Sequence, residues 1–437
     1  MTDPASHLPP QPIRRFTRPL AKFLHVESAS GIVLIVCTVA ALALANSGAA
    51  KWWADLWHTH VALEIGAFKL AGDLGHFVVN DVLMTIFFFV VGLEIKRELV
   101  AGELRDPRKA ALPVAAALGG MVVPALIYFL LQRGQPGERG WGVPMATDIA
   151  FVVGVMALLG PRVPFGLKIM LLSLAIADDI GAVVVIAVFY STGVSATMLG
   201  LAAAGLAGVY AMNRLGVRAV WVYAAVGALV WLAMLKSGVH PTIAGVTLGL
   251  MTPAWAWVGE EALRMVATDL VAKIEDVTIN PETPELETLA FAAHESVSPL
   301  ERLETLLHPW VGFVIMPLFA LANAGVAIKV AEITSPVAVA VAVGLFVGKP
   351  LGIVLFSWLA VRAGIAKLPA GVNWLVLLGG GFLAGIGFTM SLFVAGLALK
   401  DDLLAAGKIG TLCGSLASAT VGATILVLAL RKRPPAG

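Results

Sequence analysis

Two adjacent carboxylates, Asp178 and Asp179, stand in the middle of an apolar run that extends from Gly166 to Tyr190. The only other charge in this run belongs to Lys168, near its start. A run of this length can cross a bilayer as one helix, although a single carboxylate at the centre costs about 2.5–3.5 kcal/mol on insertion scales. Two carboxylates in a low dielectric cannot both stay ionised without a cation, so they offer alternate binding of cations and protons. Taken alone, the run also allows a helix cap in a soluble protein.

Two further ionisable residues lie inside apolar runs. Asp148 follows Pro144 and Thr147, which favour a break in the helix whose freed backbone groups must find partners in protein or water. The alternative is a cap at the membrane edge, but Trp141 places that edge several residues earlier. Lys349 is central in its run, too deep to reach the interface easily. We therefore expect it to pair with an intramembrane carboxylate or with exposed helix carbonyls.

The composition decides the class of protein. Hydrophobic residues make up 59% and charged residues 13% of the 437 residues, and the mean hydropathy is +0.90. The charged share is about half that of a soluble domain, so we predict an all-α polytopic membrane protein. A net charge of +2 gives no indication of a nucleic-acid partner, and the two cysteines predict no disulfide framework. We expect no enzymatic activity and no cofactor.

Apolar runs of bilayer-spanning length recur along the chain. About eight fall within residues 29–257 and about four within 306–430, between an N-terminal tail at 1–28 and a C-terminal tail at 431–437. The segment 47–74 carries three tryptophans, expected at a headgroup boundary, and a possible hairpin. The twelve runs cover residues 30–46, 74–95, 110–131, 141–160, 166–190, 197–213, 219–235, 239–257, 308–328, 336–361, 372–399 and 407–430.

The distribution of basic residues predicts the orientation. If the N-terminus is inside and the spans alternate, 21 of the 30 lysines and arginines fall in cytoplasmic segments and 8 in outside segments. This asymmetry follows the positive-inside rule. We therefore expect both termini to be cytoplasmic and the segment 47–74 to be periplasmic.

Residues 258–305 form the one acidic stretch, with 11 of the 28 acidic residues and three prolines. In the predicted orientation this stretch is a cytoplasmic loop, and most of it is expected to be solvated and disordered. Its last part, from Glu301 to Trp310, re-enters the membrane and is the better candidate for function.

Two interrupted spans predict a repeat. The stretch from Gly379 to Ser391 is dense in glycine. Close helix packing would explain these glycines, but an unwound helix is favoured because it would match the break before Asp148 in the other half of the chain. Each break lies in the middle span of a trio, and the two trios have opposite senses in the predicted orientation. The first trio comprises spans 110–131, 141–160 and 166–190, and the second comprises spans 336–361, 372–399 and 407–430. Inverted three-helix repeats with two discontinuous helices that cross at mid-membrane are typical of secondary transporters. Asp148 would balance the positive ends of the half-helices and Lys349 the negative ends.

Eight ordered motifs lie between Val91 and Ser391. They are Val91-Gly-Leu-Glu-Ile-Lys-Arg-Glu-Leu99, Ala146-Thr-Asp-Ile-Ala-Phe151, Leu174-Ala-Ile-Ala-Asp-Asp-Ile-Gly-Ala182, Lys236-Ser-Gly-Val-His-Pro-Thr-Ile-Ala-Gly245, His308-Pro-Trp310, Phe319-Ala-Leu-Ala-Asn-Ala-Gly325, Gly348-Lys-Pro-Leu-Gly352 and Gly385-Ile-Gly-Phe-Thr-Met-Ser391. Together they resemble the NhaA-type sodium/proton antiporters. These antiporters are themselves examples of inverted repeats.

The resemblance implies roles for individual residues. Asp178 and Asp179 would bind sodium and protons in turn, while Asp148, Thr147 and Lys349 would stabilise the crossing. A cytoplasmic-side set would adjust activity with pH, namely Glu94, Arg97, Glu98, Glu304 and His308. His240 is similar to a family histidine linked to the pH response, but a structural role at the start of its span is equally open. The chain departs from the family pattern in the long acidic insertion and in Thr305, where a histidine is expected.

The implied activity is exchange of cytoplasmic Na+ or Li+ for external H+ by alternating access in the bacterial inner membrane, by a homodimer joined through residues 47–74. The exchange is electrogenic if sodium displaces one proton from each of Asp178 and Asp179. Lys349 would pair with Asp178 without sodium, or would itself carry one of those protons; the sequence leaves both schemes open. Since neighbouring helix positions lie about 100° apart, one aspartate is expected to dominate coordination.

Two other classes of protein are disfavoured. An intramembrane aspartyl protease needs two carboxylates on separate helices. Asp148 and Asp178 meet that requirement, but Lys349 would have no role in such a protease. A passive cation channel uses charged rings or carbonyl filters, whereas paired broken helices and a buried lysine suit alternating access better.

Overall fold

The computed structural model describes residues 27–65, 68–191, 193–276 and 284–431. Most of the two predicted tails, at 1–26 and 432–437, lies outside the described residues. Within the described ranges, nine helices are long and apolar enough to cross a membrane, or eleven if each of two bent helix pairs is one span. The membrane-spanning helical class is confirmed. The number of about twelve spans stays a prediction, because the helix in the run 239–257 is shorter than a bilayer requires.

The first eight apolar runs each contain a helix, and a short helix follows the first of them. α5 is preceded by the 3-10 segment Glu138–Met145, and a π-helical segment, Leu74–Leu83, leads into α3. The bounds are α1 Glu27–Ala45, α2 Ala50–Trp57, α3 Met84–Val100, α4 Pro107–Gln132, α5 Ile149–Leu159, α6 Phe165–Phe189, α7 Ala196–Arg214, α8 Val220–Ser237 and α9 Thr242–Met251.

The second part of the chain contains the helices of the acidic segment and of the last four runs. π-helical segments at Val311–Ile315 and Gly344–Gly348 join α12 to α13 and α15 to α16. The bounds are α10 Glu260–Asp276, α11 Pro284–Glu295, α12 Pro299–Trp310, α13 Met316–Asn323, α14 Val330–Ile333, α15 Pro336–Val343, α16 Lys349–Arg362, α17 Trp374–Ala384, α18 Phe388–Ala398 and α19 Asp401–Leu430.

A two-stranded antiparallel sheet is the exception to the predicted all-α class. β1 (His60–Ile65) pairs with β2 (Phe68–Asp73), with His60 opposite Asp73. The hairpin expected within the segment 47–74 is confirmed.

The acidic segment is more ordered than a solvated loop. Helices α10 and α11 pack against each other, and the backbone carbonyl of Glu295 accepts from Trp257 N at 3.1 Å. The carboxylate of Glu295 is buried and lies 2.5 Å from Arg218 Nη1 and 3.5 Å from Arg302 Nη1. A buried carboxylate requires such partners. The described residues of this segment therefore differ from the disordered excursion that their charge suggested.

Close helix packing places both α6 and α16 against α4. A Cβ at Gly352 would collide with the backbone oxygen of Gly119, so α4 and α16 meet at their backbones. One residue further along, a Cβ at Gly120 would lie 3.7 Å from Cε of Lys349. Because α4 also packs against α6, this arrangement brings Lys349 close to the helix that carries Asp178.

Candidate functional site

The first broken helix has its break between the 3-10 segment Glu138–Met145 and α5. Pro144 has no N–H to donate, and the residues from Ala146 to Asp148 include extended backbone at both ends, with ψ of 152° and 102°. Helix resumes at Ile149, where the carboxylate of Asp148 accepts from Phe151 N at 3.3 Å. The predicted interruption before Asp148 is therefore confirmed.

The second broken helix has its break between α17 and α18, which are bent by 47°. Its three break residues run from Gly385 to Gly387, and a Cβ at Gly387 would lie only 3.1 Å from Ala146 O in the first break. The N–H groups of Gly387 and Phe388 each donate to Ser415 Oγ at 3.2 Å. The glycines therefore allow the two breaks to touch, and the unwound helix is confirmed.

Asp148 joins the starts of the two half-helices. Its backbone N–H donates to Ile386 O at 2.7 Å, which links the two breaks directly. Its Oδ2 accepts from Thr389 N at 3.0 Å and from the Thr389 hydroxyl, while Oδ1 accepts from Phe151 N. One buried carboxylate thus caps both α5 and α18, whose N-termini carry partial positive charge.

Lys349 and Thr147 serve the two carbonyl ends. The Lys349 ammonium donates to Met145 O, the last residue of the 3-10 segment. Thr147 Oγ1 lies 3.0 Å from Ala384 O, the last residue of α17. The partial negative charge at each end of a broken helix therefore faces a donor.

Asp178 is shared between these two donors. Its Oδ2 lies 2.7 Å from Lys349 Nζ, and both side chains are fully inaccessible to solvent. The same oxygen lies 2.7 Å from Thr147 Oγ1. Because a hydroxyl has one proton, Thr147 can donate either to Asp178 or to Ala384 O, but not fully to both. The protonation of Asp178 is thereby coupled to the end of α17.

Asp179 is the less satisfied member of the carboxylate pair. It is also buried, and within the part of the chain that the structure describes neither its Oδ1 nor Oδ1 of Asp178 has a hydrogen-bond partner. The negative charges of Asp178 and Glu94 both act on it. A buried carboxylate oxygen without a donor is costly, so these two oxygens are positions where a proton or a cation would be stabilised.

The structure brings together part of the expected pH-response set. Arg97 Nη1 on α3 lies 2.5 Å from Glu304 Oε1 on α12, and His308 follows Glu304 by one turn of the same helix. Glu94 and Glu98 lie one turn apart on α3, and the Glu98 carboxylate accepts from Glu103 N and from the Ser173 hydroxyl.

His240 lies apart from this set. Its Nδ1 is 2.8 Å from Thr242 Oγ1 at the start of α9, and its Nε2 is 3.9 Å from Asp81 Oδ1. Its ring packs edge-to-face on Phe393 of α18. The contact with Thr242 fits a structural role for His240 at the start of its span. The contact with Phe393 of α18 is also compatible with the predicted role in the pH response.

Three polar residues of the site escaped the sequence analysis: Thr389, Ser415 and Ser173. Thr389 lies 241 residues from Asp148, and no spacing rule connects them. A hydroxyl side chain inside an apolar run gives a far weaker signal than a charge does, since its burial costs less. The sequence signal that could have identified Thr389 is its position just after the glycine-rich break, because the first N–H groups of a helix lack partners within that helix.

The fold and the charged helix crossing define an α-helical, multi-pass membrane transporter. Residues 21–426 match the family model described as Na+/H+ antiporter 1, and the chain belongs to this family. It is similar to the Na(+)/H(+) antiporter NhaA of Rhodopirellula baltica, with 51% identity over 428 residues and 97% of each chain covered. It is also similar to Na(+)/H(+) antiporter NhaA 2 of Sorangium cellulosum, at 51% identity over 98% of this chain and 94% of the relative. The NhaA 2 antiporter of Vibrio vulnificus is 49% identical over 95% of this chain and 94% of its own length.

Proposed function

We propose that this protein exchanges cytoplasmic Na+ or Li+ for external H+ across the bacterial inner membrane, with Asp178 and Asp179 as the exchange site. The observation that carries the proposal is a pair of adjacent buried carboxylates, each with one oxygen that lacks a donor among the described residues. The names of its relatives, which are Na(+)/H(+) antiporters, support the same reaction.

Competition between Na+ and H+ follows from charge. When no cation is bound, the charge of Asp178 is balanced by Lys349 at 2.7 Å, and Asp179 is most stable with a proton. A sodium ion that binds both carboxylates displaces Lys349 from Asp178 and the proton from Asp179. This arrangement supports a cycle in which Lys349 gives up a proton as it leaves Asp178, so that two protons are exchanged for one sodium ion. Such a cycle moves net charge and responds to the membrane potential.

Alternating access is proposed to arise at the crossing. Half-helix ends are held together by Asp148, Thr147 and Lys349 rather than by continuous helix, and Asp178 contacts two of these three residues. Neutralising or charging Asp178 therefore changes the bonds that hold the end of the 3-10 segment, through Lys349, and the end of α17, through Thr147. We propose that this change exposes the carboxylates to one side of the membrane at a time, with both termini cytoplasmic and the two trios of spans as inverted repeats.

Regulation by pH and dimer formation complete the proposal. Glu94, Arg97, Glu98, Glu304 and His308 would adjust activity with pH from the cytoplasmic side; the Arg97–Glu304 pair between α3 and α12 supports this. The β1–β2 hairpin would join two copies, since an isolated two-stranded hairpin is marginally stable in water and leaves strand edges to pair.

The test is sodium-driven recovery of a pH dye in proteoliposomes. The parent should exchange, whereas Asp178→Asn and Asp179→Asn should lose essentially all exchange while they elute and melt like folded protein. Asp402→Asn is the matched control, because this aspartate is exposed at the start of α19. Exchange at parental rates by both site variants would exclude the carboxylates as the exchange site. Collapse of the membrane potential with a potassium ionophore should change the parental rate if the cycle moves net charge.

A further inference from the structure

A cavity of about 650 Å³ opens at the end of the bundle where α4 and α6 begin and α16 has ended. Its rim carries Arg108, Lys109 and Lys367, and its deeper wall includes Met170 and Ser173 of α6. Ser173 is buried and stands five positions before Asp178 in the same helix. The cavity therefore reaches from the surface to a hydroxyl near the exchange site.

Glu98 lies directly behind this wall. Its Oε1 accepts from Ser173 Oγ at 3.1 Å and from the backbone N–H of Glu103, also at 3.1 Å. Both donors belong to residues that line the cavity. The Glu98 carboxylate, although it extends from α3, is thus fixed at the inner end of the cavity by a side chain of α6.

From Glu98 a row of carboxylates leads to the exchange site. Glu94 is four positions earlier on α3, and side chains with this spacing lie about 5–6 Å apart at Cβ. The charge of Glu94 acts on Asp179. Val91 and Ile95 of α3 pack against Ile176 of α6, which keeps this part of α3 against the helix that bears Asp179. Glu98, Glu94 and Asp179 therefore follow one another inward.

We propose that Ser173 is a positioning residue for cation passage: it holds Glu98 at the inner end of the cavity, so that Na+ moves from the cavity past Glu98 and Glu94 to Asp179. This inference rests on the proposed exchange at Asp178 and Asp179. A cation that sheds water needs oxygen ligands at short intervals, and rings or rows of carboxylates provide them in cation pathways. Without the Ser173 hydroxyl, Glu98 loses the bond that crosses from α3 to α6 and turns away from the row.

The basic rim works against entry rather than for it. Lys109 is paired with Glu103 at 3.4 Å, whereas Arg108 and Lys367 are exposed. Their charges are screened over about 8 Å at physiological ionic strength. We expect the variant Arg108→Gln/Lys367→Gln to lower the apparent KM for Na+ at low ionic strength and to match the parent at high ionic strength.

The central experiment compares serine variants in proteoliposomes, with Na+ supplied on the side of the membrane at which the cavity opens. Ser173→Ala should raise the apparent KM for Na+ by about tenfold to a hundredfold, the loss expected for one hydrogen bond to a charged group, with little change in maximal rate. Ser173→Thr keeps the hydroxyl and should restore the parental KM. Glu98→Gln should raise KM like Ser173→Ala, and the double variant should be no worse than either single one.

Ser357→Ala is the matched control. Ser357 is also a fully buried serine in a spanning helix, and its hydroxyl has no partner within the described residues. If Ser173→Ala has the same KM as this control, or lowers the maximal rate with KM unchanged, Ser173 does not serve cation passage. That result would leave the proposed function intact as long as Asp178→Asn and Asp179→Asn abolish exchange.

Discussion

Two regions of the molecule hold their charges in opposite ways. At the helix crossing, Asp178 and Lys349 are fully inaccessible to solvent, and each also contacts a residue or carbonyl of the first break. Where α3 meets α12, the Arg97 side chain is 49% exposed and its partner Glu304 is 11% exposed. Water can replace the partner of Arg97 but not the partner of Lys349. The crossing is therefore the place where a charge can change only if an ion or proton arrives, and this is what coupled exchange requires.

The largest loss of stability should come from removing one partner of the buried ion pair between Lys349 and Asp178. Lys349→Met leaves Asp178 buried beside one hydroxyl, and breaking a buried ion pair in this way costs about 3–5 kcal/mol. The variant Asp178→Asn/Lys349→Met removes both charges and should recover a large part of that loss. The measurement is thermal unfolding of the purified proteins in detergent. The double variant should melt well above the single one and yet show no exchange in proteoliposomes.

A double variant that melts no higher than Lys349→Met would contradict this account of the crossing. Lys349 would then stabilise the fold chiefly through Met145 O at the end of the 3-10 segment, and not through Asp178.

A smaller effect is expected at Asp148, which caps two helices at once. Loss of an N-cap costs about 0.5–2 kcal/mol, so Asp148→Ala should cost roughly twice as much as an ordinary cap. Asp106→Ala is the matched comparison, because Asp106 caps α4 alone, by accepting from Arg108 N at 2.9 Å. Thermal unfolding of both variants measures the difference. Equal losses would mean that the bonds from Thr389 to Asp148 contribute no stability.

The sequence predicted the parts of this crossing that carry a strong local signal. Pro144 lacks an N–H, and two of the three residues of the second break, Gly385 and Gly387, lack side chains, so both interruptions could be located. Lys349 was expected to find a carboxylate or helix carbonyls because a buried ammonium has no other stable arrangement, and it contacts both. The roles of these residues in transport remain predictions.

The contacts that could not be predicted join distant residues without charge. Ser415 accepts from Gly387 N and Phe388 N, but a serine in an apolar helix has many neutral alternatives. The order of the acidic segment was missed for another reason. Its charge density resembles that of a solvated loop, whereas Glu295 is buried between two arginines that lie 77 and 7 residues away. Such pairing depends on tertiary contacts that hydropathy and charge do not encode.

The smallest effect on stability is expected for the ion pair between Arg97 and Glu304, where α3 meets α12. A double-mutant cycle on Arg97→Gln and Glu304→Gln should give a coupling free energy below about 1 kcal/mol, because water reaches the half-exposed Arg97 and ion pairs open to water rarely contribute more. Arg97 is half exposed, so salt should weaken the coupling further as the Debye length falls from about 8 Å at 0.15 M to about 3 Å at 1 M. Thermal unfolding of the parent, the two single variants and the double variant at both salt concentrations measures this.

The Arg218–Glu295 pair provides an intermediate reference for the same cycle. Both carboxylates are buried, but the Arg218 side chain is only 28% exposed and its guanidinium lies 3.9 Å from the centre of the Trp257 ring. Its coupling to Glu295 should therefore be larger and less sensitive to salt. A coupling at Arg97–Glu304 that equals this reference and persists at 1 M salt would remove the contrast between the two regions. Glu304 would then hold α12 against α3 as firmly as Glu295 holds Arg218, and a pH change acting on Glu304 would have to break a firm contact rather than bias a weak one.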